Sequence, residues 1–84
     1  MSDHRALIEV VARALADEPD AVTVTVGERR GATHYELHVA PRDLGRVIGR
    51  QGRTAAALRL LLSTAAEAAG GKAQLDIRDT DGRS

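Results

Sequence analysis

The residues with most chemical potential lie together, in Leu44-Gly45-Arg46-Val47-Ile48-Gly49-Arg50-Gln51-Gly52-Arg53. Gly49 falls where one helix must stop, and Gly52 falls just before the next one starts. Lacking a Cβ, each can take a positive φ and admit a second backbone at close range. The N-terminus of the following helix offers unpaired N–H groups and a partial positive charge. Arg50 and Arg53 add guanidinium donors that suit phosphate oxygens. A helix–GxxG–helix corner flanked by arginines is a place to pass a sugar-phosphate backbone. A plain helical corner, with glycines serving only the turn, has the same spacing, so GxxG alone is weak evidence.

Charge distribution bears on the choice. Lysine plus arginine number 12 and aspartate plus glutamate 12, so the formal net charge is zero. From residue 42 to 59, however, Arg42, Arg46, Arg50, Arg53 and Arg59 stand against Asp43 alone, a local excess of +4. Local field, not the total, decides where a polyanion docks. Four charges on a solvated helical surface are also ordinary.

Other chemistries lack their residues. Without cysteine there is no disulfide frame, thiolate metal site or thiol nucleophile. Lys72 is the sole lysine and follows no phosphate-binding loop, and GxGxxG is absent. His34 and His38 share a strand face but stand roughly 13 Å apart, too far to ligate one metal. Ser63 and Thr64 have no evident base, and no carboxylate pair marks a cleft. The expectation is a non-enzyme with no cofactor and no metal. No apolar run approaches the length of a membrane span, and residues 1–5 lead into an amphipathic pattern without a signal-peptide core. A cytoplasmic location with no membrane partner is expected.

The elements that must hold the loop follow from periodicity. Leu7, Ile8, Val11, Ala14 and Leu15 predict a helix over 3–16, started by Ser2 or Asp3 and stopped before Pro19. Val22, Val24 and Val26 alternate with threonines, predicting a strand over 21–26. A turn at 27–31 leads to Tyr35, Leu37 and Val39, the inward residues of an antiparallel partner. Asp43 is the expected N-cap of a short helix over 44–48. A longer helix over 53–69 ends at Gly70-Gly71. Ala73, Leu75 and Ile77 mark a third strand. Reached by a helical crossover, it should lie parallel to, and beside, residues 33–39. The fold class is α+β, a two-layer α-β-β-α-α-β domain with a three-stranded mixed sheet packed against three helices. One domain is expected over 1–78, with a flexible C-terminal tail over 79–84.

With that frame in place, Gly45-Arg46-Val47-Ile48-Gly49-Arg50-Gln51-Gly52-Arg53-Thr54 resembles the signature of KH domains, and the element order matches their bacterial type II arrangement. The likeness extends to the small stand-alone KhpA-type RNA-binding proteins, which are about this long, and covers nearly the whole chain. KH modules of transcription and ribosomal proteins are similar too, but belong to larger chains. The resemblance implies a groove for about four nucleotides of single-stranded RNA, with the loop clamping the backbone. Carried over by position, Gly49 and Gly52 shape the clamp and Arg50 and Gln51 meet phosphates. Val47, Ile48, Ala55 and Ala56 line an apolar floor, or, for Val47 and Ile48, the core. Gly45, Arg46 and Arg53 complete the RNA-binding set. Neither middle position of the loop is an aspartate, which would mark a degenerate copy. With no Phe or Trp, and Tyr35 facing inward, base stacking on an aromatic platform is not expected.

Along the long helix, Leu58, Leu61, Leu62, Ala65 and Ala69 form the expected core stripe, leaving Leu60 outside it. Ala57, Leu60 and Thr64 are therefore candidates for a dimer interface, although one exposed leucine is common. KhpA-like proteins pair with themselves and with a larger Jag-type KH partner, which the resemblance extends to this chain. Two functional expectations result. The first is a single-stranded RNA binder acting as an RNA chaperone or post-transcriptional regulator, probed by salt dependence. The second is an interaction module whose main work is homo- or heterodimerisation, probed by mass.

Overall fold

The computed structural model describes residues 4–82. The chain runs α1 (Arg5–Leu15), β1 (Thr23–Arg29), β2 (Ala32–Val39), α2 (Leu44–Ile48), α3 (Arg53–Ala68) and β3 (Ala73–Asp79), with short 3-10 turns at Pro19–Ala21, Pro41–Asp43 and Arg50–Gly52. This is the expected α-β-β-α-α-β order. The proposed capping residues Ser2 and Asp3 lie outside the described residues; His4 occupies the N-cap position and makes no side-chain cap bond.

The sheet order is β1-β2-β3. β1 and β2 are antiparallel, with Val24 opposite Leu37. β3 is parallel to β2, with Leu37 opposite Ile77. The hairpin turn is tighter than the expected five residues. Arg29 pairs with Ala32, leaving only Arg30 and Gly31 between the strands. Both take positive φ, 53° and 80°, as a two-residue turn matched to strand twist requires.

One sheet face carries the core. Val22, Val24, Tyr35, Leu37, Val39, Leu75 and Ile77 are buried beneath Ile8 and Ala12 of α1, Val47 of α2, and Ala55, Leu58 and Leu62 of α3. Tyr35 is among the buried residues, and its hydroxyl accepts the His4 N–H at 3.0 Å, so its ring offers no platform to a base. Among the described residues no layer covers the opposite face of the sheet, which shows Thr23, Thr25, Glu36, Gln74, Asp76 and Arg78.

Two expectations are corrected. The buried stripe of α3 is Ala55, Leu58, Leu62 and Ala66, whereas Leu61 is 47% exposed and Ala69 is exposed too. Spacings of 3, 4 and 4 keep the observed set on one narrow face, centred between the expected stripe and Ala55. Asp43 does not cap α2. Its backbone is already helical (φ −96°, ψ −8°), following a 3-10 turn, and its carboxylate turns the other way. There it accepts the N–H groups of Asp17 and Glu18, both at 3.0 Å.

Candidate nucleic-acid interface

The GxxG corner is built by backbone conformations that few residues accept. α2 ends when the Gly49 N–H donates to the Gly45 carbonyl at 2.9 Å. Gly49 then takes φ 80°, ψ 169°, a region open essentially to glycine. A Cβ there would run into the Thr54 side chain and lie 2.9 Å from the Thr54 nitrogen. Gly49 thus lets the start of α3 sit directly on the end of α2. Gly52 is left-handed at φ 73°, ψ 14°, with open space where a Cβ would stand. Between them Gln51 is also left-handed, at φ 57°, an uncommon state for a residue with a side chain. Three of four loop residues therefore have positive φ. Sequence reasoning foresaw the two glycines and not Gln51, whose residue type carries no signal of it.

α3 begins at Arg53 with no side-chain cap and no acid in its first turn. The Gly52 N–H already donates to the Gly49 carbonyl and the Arg53 N–H to the Arg50 carbonyl, but no acidic side chain of its own first turn offsets the helix's positive end. The arginines around it differ in their engagement. Arg53 donates to the Gln51 Oε1 at 2.9 Å, which ties the loop's middle to the helix. Arg50 is exposed and, among the described residues, has no ion pair or hydrogen bond. Arg59 leans off α3 and donates its Nε to the Leu75 carbonyl at 3.2 Å. The Lys72 carbonyl accepts from Thr33 and the Thr80 N–H donates to Val39, so even-numbered β3 groups serve β2 and the Leu75 carbonyl faces the open edge. Arg59 blunts that edge.

Arg42 and Arg46 are occupied by acids that the charge count of 42–59 could not reveal. Arg46 Nη2 is 3.2 Å from Asp17 Oδ2, Arg42 Nη2 is 3.7 Å from the same oxygen, and Arg42 Nε is 3.6 Å from Glu18 Oε2. Asp43, fully buried beside them, has its carboxyl held below the ordinary aspartate range. The Asp17 N–H bond is the main cause; burial opposes it, and the Glu18 N–H and then Arg42 and Arg46 add to it. Asp17 and Glu18 thus halve the local excess, from +4 to +2, and what remains belongs to the corner and to Arg59.

The remaining expected site residues divide by burial. Val47 is fully buried in the core, so it supports the corner from beneath and has no surface for a floor. Ala55 is buried as well. Ile48 is half-buried, packed against the core, and Ala56 is exposed on the flank of α3 that also carries Arg59. Gly45 and Arg46 lie on the exposed side of α2. Ala57, Leu60 and Thr64 form an exposed line along α3, extended by Leu61, which sequence reasoning had assigned to the core.

The family model for the KhpA/KhpB KH domain matches residues 5–77. Among similar proteins, the RNA-binding protein KhpA of Halalkalibacterium halodurans is 45% identical over 75 residues, 89% of this chain and 99% of its own length. That of Treponema pallidum is 48% identical over 73 residues, 87% of this chain and 91% of its own. That of Mycobacterium leprae is 51% identical over 76 residues, 88% and 89% of the two chains. With matches spanning α1 through β3 and the whole glycine corner, the chain belongs to the KhpA/KhpB family of KH domains.

Proposed function

We propose that this protein binds single-stranded RNA, with the Gly49–Gly52 corner clamping the backbone, and that it acts in the cytoplasm as an RNA chaperone or post-transcriptional regulator. The observation that carries this reading is the corner itself. Three positive-φ residues turn the backbone back at the start of α3, which has no side-chain cap, and Arg50, without a partner among the described residues, stands beside it. Phosphate oxygens meet N–H donors and guanidinium groups there, while Ile48 and Ala56 offer small apolar surface for bases. Gly45, Arg46 and Arg53 flank the path. The relatives' shared name, RNA-binding protein, supports the same reading. The test is binding of labelled short single-stranded RNAs to the wild type and to Arg50→Asp/Gln51→Asp, with folding checked by circular dichroism. Loss of binding in the folded double variant is expected. Equal binding by both, or by neither, overturns the reading.

A second element of the reading is self-association. Leu60 is 69% exposed and Leu61 47%, side by side on α3 with Ala57 and Thr64. A line of leucines among small residues suits close helix–helix contact, either with a second copy or with a larger Jag-type KH partner. Two weak sites so joined gain affinity by effective concentration.

A further inference from the structure

The acids that occupy Arg42 and Arg46 are themselves deliberately placed. Asp17 and Glu18 follow α1, which ends at Leu15, after the single residue Ala16. Negative side chains near a helix C-terminus oppose its dipole, so these residues do nothing for the helix they follow. Their backbone is nevertheless pinned, because both N–H groups donate to the buried Asp43 carboxylate. This anchor presents two carboxylates to two guanidiniums one helical turn apart, at 3.2, 3.7 and 3.6 Å. All four side chains stay 45–66% exposed. Counting Asp43, two positive charges face three negative ones on the flank of α2 that leads to the glycine corner.

Carboxylate and phosphate make the same charge-assisted bonds to arginine. We infer that Asp17 and Glu18 are affinity-setting residues of the RNA site, standing where RNA phosphates would otherwise engage Arg42 and Arg46. They confine the strand's backbone contacts to the corner. The inference rests on the RNA-binding reading above. Exposed ion pairs hold weakly, so the acids are displaceable, but each phosphate that takes an arginine must first evict a carboxylate and then lie beside it. Binding through these arginines therefore releases little counterion in the wild type.

The test uses the full chain as Asp17→Asn/Glu18→Gln. Both substitutions keep the backbone donors to Asp43, and thermal melting confirms the fold. Asp17→Asn alone serves if the double variant melts early, since Asp17 touches both arginines. Affinity for labelled single-stranded RNA is measured across a salt series. The double variant is expected to bind about 3–30-fold tighter at low salt, with a log–log salt slope steeper by about 1. Arg46→Gln should cost several-fold more in the acid-free background than in the wild type. Unchanged affinity and slope, or equal costs of Arg46→Gln in both backgrounds, overturn the inference. If that happens while Arg50→Asp/Gln51→Asp abolishes binding, the corner stands and only the acids' role falls. If neither the wild type nor the acid-free variant binds, both readings fall.

Discussion

Replacing the two corner glycines by alanine separates packing from turn geometry. Gly49 sits at φ 80°, ψ 169°, and a Cβ there meets Thr54. The backbone state costs about 1–3 kcal/mol for a residue with a side chain, and overpacking adds about 1–3 kcal/mol. Gly52 sits at φ 73°, ψ 14° with nothing within 4 Å, so alanine pays only the left-handed penalty, about 1–2 kcal/mol. A domain of this size has a total stability of about 4–13 kcal/mol, which makes the difference large on its own scale. At about 4–8 °C per kcal/mol, Gly49→Ala should lower Tm by about 10–45 °C and Gly52→Ala by about 5–15 °C. Thermal unfolding followed by circular dichroism, with urea denaturation alongside, reads both. Equal melting of the two variants would refute the claim that Gly49 lets α3 sit on α2.

Three further outcomes are expected. Asp43→Asn leaves one of two N–H groups facing an amide, and should lower Tm by about 5–15 °C. Because the folded state holds the Asp43 carboxyl below its ordinary value, that stabilisation is complete above the unfolded value and is lost as pH falls through the folded one. Melting between pH 7 and 2 should therefore show an acid loss below about pH 4 that is smaller in Asp43→Asn. On α3, Leu62→Ala should cost about 2–5 kcal/mol in urea unfolding and Leu61→Ala under about 1 kcal/mol, the order that the observed stripe requires. Leu60→Arg should reduce the concentration-dependent mass seen by light scattering; an unchanged mass removes that face from any dimer.

Much of the fold was legible because strand alternation and helix punctuation are local signals. Val22 and Val24, Tyr35 and Leu37, and Leu75 and Ile77 all face the core, as alternation required. What failed depended on contacts distant in sequence. The run Leu60-Leu61-Leu62 satisfies helical periodicity in more than one phase, and the observed phase is the one that buries Ala55 near the helix start and Ala66 further along. Asp43 reads as a cap because an acid before a helix usually is one; its real partners lie 25 and 26 residues away. The same distance hid Asp17 and Glu18 from a charge count over 42–59. Val47 offered no sign of which side of a five-residue helix would be covered. The glycine corner was legible because glycine spacing reports backbone geometry directly.

The central claim is that RNA meets this protein at the corner. An NMR titration of isotope-labelled protein with short single-stranded RNA tests it residue by residue. The largest amide shift changes should fall on Gly49 through Arg53 and on Ala56, with Thr25, Glu36 and Asp76 on the uncovered sheet face unmoved. Shifts confined to that sheet face, or a corner that does not respond while RNA binds, would contradict the account.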